Sequence, residues 1–346
     1  MSLSRREQIL KLIVEHFIKT ASPVGSQTLI EQYGLTCSSA TIRNEMNALE
    51  GEGYLEKTHT SSGRVPSSKG YRYYIEHLRD ANVDENLKHQ LTVLFQEHRK
   101  SIEEVIQESC QILSHMTNLA SVVLGPNADK EQLVSIQLIP LSTNTATAIF
   151  VTDQGYCEHK TFILDSTSQL QDIEKCVSLL NERLKGTPVG ELIEKMESMR
   201  PVLANYVEEH DVVYQVFMEA FVRFAKDRVN LYGKSSLINQ PEFSEDTEKL
   251  KKLIRLLDSP ERFRRVRDEI GDEDLSVSIG ELGDGYDDVS VITSRVRIPG
   301  QSDSTIAVLG PRRMDYNQVM SALEYVAKQL DRYFVEERSE NGKEKK

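Results

Sequence analysis

The sequence predicts an α+β chain of two or three domains, headed by a winged helix-turn-helix. Three observations predict it. Residues 1–80 run as short amphipathic helical stretches followed by a polar hairpin. Cations gather at that hairpin, while the rest of the 346-residue chain is acidic. Downstream, short β-rich runs are interleaved with long helical ones.

The first helix spans residues 4–20, with Ile9, Leu10, Ile13, Val14, Phe17 and Ile18 as its apolar stripe. Ser22-Pro23-Val24-Gly25 breaks it. A second helix starts near Ser26, carries Leu29, Ile30 and Tyr33, and closes at Gly34. Leu35 and Thr36 make a turn, and Ser38 and Ser39 supply the cap of a third helix. In that helix Ile42, Met46 and Leu49 recur at i, i+4, i+7 and pack inward. At about 100° per residue, Ala40, Arg43, Asn44 and Asn47 face out. This face lacks the usual Glu/Lys pairs. It carries a small residue, a guanidinium and two amides, the types that read base edges in a major groove. An ordinary surface helix is the plain alternative. Two asparagines outside a cap weigh against it, because Asn is a mediocre helix former.

Residues 54–59 read as a strand and residues 60–63 as a turn. Arg64-Val65-Pro66 starts back, with Pro66 confining that strand to an edge. A hairpin directly after such a helix is a wing. From Lys57 to Arg79 there are five Lys and Arg against one acid, Glu76. The helix start Ser67-Ser68-Lys69-Gly70 offers main-chain N–H groups to the same anion site. A solvated loop is the usual fate of such a charge cluster, but the order of elements favours the wing. The candidate DNA contacts are therefore Ser39, Thr41, Arg43, Asn44 and Asn47 on the helix. On the wing they are Lys57, His59, Thr60, Ser62, Gly63, Arg64, Lys69 and Arg72. Arg43 suits guanine, and Asn44 and Asn47 suit adenine. Arg64, Lys69 and Arg72 neutralise phosphates. His59, Thr60 and Ser62 hydrogen-bond the backbone, and Tyr71 packs the wing onto the helix.

The net charge of −12 opposes DNA binding until it is divided along the chain. Residues 1–80 hold ten Lys and Arg against nine Asp and Glu, and the remainder holds 32 against 45. A near-neutral head on an acidic body can bind DNA and hold the body away from it. Four scattered cysteines, Cys37, Cys110, Cys157 and Cys176, form no Cys-x-x-Cys, which disfavours zinc and points to reduced thiols. No apolar run approaches the roughly 18–20 residues of a membrane span, and the N-terminus lacks the apolar core of a signal peptide. A cytoplasmic protein with no membrane partner is expected. The acidic run 281–288 does not fit an EF-hand. Cys157 and His159 share a strand face without a third partner, and neither a phosphate loop nor a nucleophile elbow is present. No enzyme activity, cofactor or metal is expected.

Residues 82–85 read as a linker and residues 86–118 as one long helix, either a coiled coil between subunits or a helix across a sheet. Strands follow at 120–124 and 133–141, and a hairpin at 145–152 and 156–164. The pattern is helical over 169–226, with a further strand at 229–232. Helices are expected at 249–257 and 260–267, strands at 275–282, 289–298 and 304–309, and a last helix at 316–335. The strands in 120–141 and 275–309 read as one sheet. The stretch 143–244, with its own hairpin and helices, reads as an insertion.

The sequence resembles the heat-inducible transcription repressors of bacteria, the HrcA family. The resemblance lies in Ser22-Pro-Val-Gly-Ser, Ala40-Thr-Ile-Arg-Asn-Glu-Met, Gly53-Tyr-Leu, and His59-Thr-Ser-Ser-Gly-Arg-Val-Pro followed by Lys69-Gly-Tyr-Arg. It recurs at Ile306-Ala-Val-Leu-Gly-Pro-Arg-Arg-Met-Asp-Tyr and so covers nearly the whole chain. Ser62 and Ser67 stand where the family often has Ala and Thr, both small changes. The resemblance implies a winged-helix head (1–80), a discontinuous GAF-like α/β domain (85–142 and 245–336), an inserted α+β dimerising domain (143–244) and a disordered tail (337–346). It implies a homodimer on an inverted-repeat operator of double-stranded DNA upstream of the DnaK and GroE chaperone operons. The chaperonin GroEL would be the partner that keeps the repressor active, and heat would relieve repression by diverting it. The alternative is a regulator that senses a small molecule through its GAF-like domain.

Overall fold

The structure is a computed structural model that describes residues 3–57, 63–80, 82–96, 102–125, 131–143, 145–163, 167–203, 210–224, 229–258, 274–281, 286–297 and 304–341. The chain begins with three helices. In α1 (Arg5–Thr20) a capping box closes the start: the Glu7 N–H donates to Ser4 Oγ and the Ser4 N–H to Glu7 Oε2. The Ser4 contacts, with a hydrogen bond from the Tyr73 hydroxyl, hold the Glu7 carboxyl below the usual carboxylate range. α2 (Ser26–Tyr33) ends on left-handed Gly34, and α3 (Ser39–Gly51) is capped by Ser38, whose Oγ accepts from the Thr41 N–H. Ile9, Leu10, Ile13, Val14, Leu29, Ile42, Met46 and Leu49 are buried at the positions the helical spacing predicts.

Strands β1 (Leu55–Lys57) and β2 (Arg64–Pro66) pair antiparallel, Leu55 opposite Pro66 and Lys57 opposite Arg64. Val24 extends this ribbon, exchanging two main-chain hydrogen bonds of 2.9 Å with Arg64. α4 (Ser68–Tyr73) follows and continues into a wider turn, Tyr74–Leu78. Its start is turned inward. Ser67 is 6% exposed, and its Oγ accepts from the Gly70 N–H and donates to the Gly53 carbonyl. The Gly70 N–H is therefore committed to its own cap and the Ser67 N–H to the Tyr54 carbonyl, so neither is offered to the expected anion site at this helix start. At Gly70 an added Cβ would lie 2.1 Å from the Tyr54 carbonyl oxygen, so only glycine lets α4 approach the ribbon.

The expected long helix 86–118 is two helices, α5 (Glu85–Gln96) and α6 (Ile102–Thr117). Asn86 and Gln90 both reach Met116 Sδ, at 4.0 and 3.7 Å, so α6 runs back along α5. Folding back buries Leu87, Leu91 and Leu94 with Val105 and Leu113, which one straight helix of this length would have to cover elsewhere. β3 (Ala120–Leu124) follows. Next come β4 (Leu133–Pro140), β5 (Thr145–Thr152), β6 (Cys157–Ile163), α7 (Thr167–Leu184), a turn at Val189–Glu191, α8 (Leu192–Leu203) and α9 (His210–Phe224). The last elements are β7 (Val229–Tyr232), α10 (Lys234–Ile238), α11 (Pro241–Ser244), α12 (Thr247–Leu257), β8 (Leu275–Ile279), β9 (Val289–Val296), β10 (Ser304–Pro311) and α13 (Tyr316–Asn341). The expected helix 260–267 lies outside the described residues. α13 runs six residues past its expected end at 335, into the segment expected to be disordered, because Glu336-Glu-Arg contains no helix breaker.

Two compact units result. The first takes Met1–Leu124, Val229–Val296 and Thr305–Lys346. Its five-stranded sheet has the order β7-β3-β10-β9-β8. Ala120, Val122, Leu124, Val289, Val291, Ala307 and Leu309 share one sheet face with Leu237, Phe243, Leu253 and Leu256 of α10–α12. On α13, the Tyr316 hydroxyl meets Ser290 Oγ at 2.8 Å. Strand β10 is buried along its whole length, as a central strand covered on both faces must be.

The second unit takes Gly125–Arg228 and Arg297–Ser304. Its sheet is the meander β4-β5-β6. Leu133, Ile136, Ala148 and Phe150 pack on α7–α9, with Phe150 edge-on to Phe217 and Phe221. Residues 133–141 therefore do not belong to the sheet of 120–124. Hydrophobic pattern identifies a strand but not its partner, and β4 takes its near neighbour β5 while β3 takes β7 and β10. The unit's bounds differ from 143–244 for the same reason.

Gly70→Ala is expected to destabilise the protein by about 1–3 kcal/mol, since backbone rather than a flexible side chain must give way. Gly51→Ala, with open space around it, is expected to be neutral or slightly stabilising. Thermal unfolding followed by circular dichroism separates the two variants.

Candidate nucleic-acid interface

The outward face of α3 carries Ala40, Arg43, Asn44 and Asn47, all exposed, opposite buried Ile42, Met46 and Leu49. Among the described residues, Arg43 and Asn44 engage no polar partner. The two hydroxyls at the helix start are used within the fold. Ser39 Oγ lies 2.9 Å from Ser26 Oγ, tying α3 to α2, and Thr41 Oγ1 lies 2.8 Å from Ser38 Oγ at the cap.

The ribbon lies beside this face. Lys57 is exposed and pairs with Glu50 at 3.4 Å. Lys69 is exposed, donates to the Glu52 carbonyl at 2.8 Å and lies over the Tyr54 ring. Arg72 is half-exposed and pairs with Glu281. His59, Thr60 and Ser62 lie outside the described residues. Gly63 is buried; a Cβ there would meet Pro23 Cβ at 2.8 Å, so its place is the close approach of the ribbon to the loop before α2.

Arg64 departs furthest from expectation. It is 6% exposed. Its Nε donates to Glu50 Oε2 at 2.8 Å, and its Nη2 donates to Asn47 Oδ1 at 2.9 Å and lies 2.7 Å from Glu50 Oε2. A guanidinium so enclosed is not presented to a phosphate; it fastens the ribbon to α3. The reason is register. Pairing Lys57 with Arg64 puts both side chains on the ribbon face that meets Glu50 of α3; Lys57, at the open end, stays exposed, while Arg64, whose main chain is also paired with Val24, is enclosed. Glu50 is the residue that sequence reasoning missed. Its signal is position: it lies one helical turn beyond Asn47, facing the side on which the ribbon returns.

The seat of this head on its own unit is polar and aromatic. The rings of Tyr71 and Tyr316 stand 5.3 Å apart. Arg313 donates to Glu242 Oε1 at 2.5 Å and to the Ile18 carbonyl, and Arg79 pairs with Glu324 at 2.7 Å. Burial raises the Tyr71 hydroxyl far above its ordinary titration, so it stays neutral.

A small helical head with an amide-and-guanidinium helix face and a cation-bearing ribbon, carried by an acidic chain of mixed helix and sheet, defines a DNA-binding transcription regulator. Known proteins give the family. The family described as "HrcA protein C terminal domain" matches residues 103–320. The chain is 38% identical over 340 residues to the "Heat-inducible transcription repressor HrcA" of Halalkalibacterium halodurans, covering 97% of this chain and 98% of that one. A solved structure described as a hypothetical protein shares the fold, with a TM-score of 0.61 at 23% identity over 96% of this chain and 99% of the other. The IclR family transcriptional regulator of Brucella abortus aligns over 96% of this chain and 92% of its own at 11% identity, with a TM-score of 0.23, too low to carry an argument. This chain belongs to the HrcA family. It is a negative transcriptional regulator of heat-shock genes and not an enzyme.

Arg64→Ala is expected to cost about 1.5–3 kcal/mol of stability, the range for a lost charge-assisted hydrogen-bond set whose partners are partly solvated. Arg64→Lys recovers less than half, because an ammonium cannot span Glu50 and Asn47 as a fork does. Urea unfolding of the full chain measures both.

Proposed function

We propose that the head is a winged helix-turn-helix in which α3 enters the major groove and the β1–β2 ribbon lies along the adjoining backbone. One observation carries this: α3 leaves Arg43 and Asn44 exposed and, among the described residues, unpartnered beside a ribbon locked in place by Arg64. Arg43, Asn44 and Asn47 face bases. Lys57, Lys69 and Arg72 exchange weak surface pairs for phosphates, with Ser39 and Thr41 at the helix start and His59, Thr60 and Ser62 at the ribbon tip. Gly63 and Arg64 hold the ribbon. The five-stranded sheet, with α10–α12 on one face, is the GAF-like domain. The three-stranded sheet with α7–α9 is the inserted dimerising domain. Its outward face supports this: Ile139, Leu141 and Ile163, the last 82% exposed, gather at the end of the sheet where β5 begins, around Thr145 and Thr147. Two heads then address two half-sites of an inverted repeat upstream of chaperone operons. The family likeness supports GroEL as the partner that maintains activity, in the cytoplasm. Among the described residues no helix is long and apolar enough to cross a membrane.

The test is footprinting of the dimer on DNA upstream of its own operon and of the chaperonin genes, with and without chaperonin. Asn44→Ala and Arg43→Ala are expected to relax sequence choice. Lys57→Ala and Lys69→Ala are expected to weaken binding to all sequences and to lower the log–log salt slope by about 0.9 each. An unchanged slope, or equal loss on operator and random duplex for the helix variants, refutes the assignment.

A second reading, control by a small molecule, has one observation in its favour. A cavity of about 300 Å³ lies within the first unit, lined by Tyr71, Glu242 and Arg312 among others. The Tyr71 hydroxyl, Glu242 Oε2 and Arg312 Nε are buried without a hydrogen-bond partner. On this reading a metabolite alters operator affinity in the parent and loses that effect in Tyr71→Phe, measured by titration of operator binding.

A further inference from the structure

We infer that Arg64 sets the hydrogen-bonding polarity of Asn47, so that Asn47 offers the groove a donor and not the donor–acceptor pair of a free amide. The inference rests on the reading that α3 faces bases. A guanidinium has five N–H donors and no acceptor. The amide atom 2.9 Å from Arg64 Nη2 is therefore the oxygen, Oδ1. Turning the amide over would set two donors against each other beside a buried cation.

Arg64 cannot follow such a turn. Its main chain is paired in both directions with Val24 at 2.9 Å, and its Nε and Nη2 both meet Glu50 Oε2, at 2.8 and 2.7 Å. Its side chain is 7% exposed. Asn47 is exposed on the same helix face as Arg43 and Asn44, so the group left facing outward is its Nδ2 amino group.

The consequence is a change of code. A free asparagine pairs with adenine at two points, accepting from N6 and donating to N7. Oδ1 has a second lone pair, but its carbonyl is turned inward to the enclosed Arg64, so the donating half is the one presented. Its matching partners are edges with acceptors: guanine through N7 and O6, or thymine through O4. Adenine keeps N7 but sets its N6 amino group beside the donor. Cytosine offers only an amino donor and is rejected. This position therefore admits guanine or thymine, where an unconstrained amide would select adenine.

The test is selection of full-length protein on duplexes carrying randomised half-sites, followed by competition binding at fixed salt. For the parent, the base met by Asn47 is expected to be guanine or thymine, with cytosine about tenfold weaker. Asn47→Ala flattens that position alone. Asn47→Asp still accepts from Arg64 but presents an oxygen outward, so preference at that position inverts toward cytosine or adenine. Arg64→Met frees the amide and brings adenine in; should that variant fail to fold, Asn47→Asp carries the test. A parent that selects adenine there, lost in Asn47→Ala, overturns the inference. Asn47→Ala changing no position while Arg43→Ala or Asn44→Ala changes one also overturns it, and leaves the groove reading intact. If none of the three changes any position, the groove reading itself falls.

Discussion

The head depends on one buried cation. A two-stranded ribbon of three-residue strands is marginal by itself in water. Here it is held on α3 by the Arg64 guanidinium, enclosed between Glu50 and Asn47, and on the loop before α2 by the Val24 bridge and the close pass at Gly63. Removing a charge from water is costly unless its donors are met. Two partners on one helix face meet two of the fork's arms. The arrangement fixes the angle between helix and ribbon, the quantity on which the proposed simultaneous contact with bases and backbone would depend.

Magnitude sorts the remaining cations. Lys57–Glu50, Arg72–Glu281 and Arg6 with Glu45 and Glu52 are solvent-exposed pairs, each worth about 0–1 kcal/mol. Such pairs give way to a phosphate at little cost. Arg64 does not, because leaving Glu50 and Asn47 would strand them beside a ribbon no longer anchored. The same residue type therefore has two roles within a short stretch, and burial rather than sequence decides between them.

That division marks the limit of what the sequence revealed. The three helices, the cap of the third at Ser38, the Gly34 terminus and the inward residues Ile42, Met46 and Leu49 follow from local spacing and cap chemistry, so they were legible. The outward set Ala40, Arg43, Asn44 and Asn47 was legible for the same reason. Arg64 was misread because its surroundings are created by strand register and by Glu50, which a pass along the chain does not bring together. The long helix failed similarly. Its apolar residues stop at Phe95 and resume in phase at Ile102, seven residues on, across a wholly polar stretch, and the proximity of Asn86 and Gln90 to Met116 shows that α6 runs back along α5. Strand pairing failed at β4, where the pattern of Leu133–Pro140 is as good as that of β3 but its neighbours differ.

The head is also tied to its own sheet through the element that roots the ribbon. α4 presses Gly70 against the Tyr54 carbonyl on one side and sets Tyr71 against Tyr316 on the other. Tyr316 is bonded to Ser290 near the start of β9 and to the Arg312 carbonyl just before α13. Arg313, next in the chain, reaches the carbonyl of Ile18 near the end of α1. A disturbance of packing at the β10–α13 junction therefore moves the base of the ribbon and the end of α1 together, while the interior contacts of the three helices stay unchanged. α3 would keep its shape and lose its registration against the ribbon. On the proposed winged-helix reading, that loss would lower operator affinity before the head itself unfolds, since a contact set split across two elements fails when either one shifts.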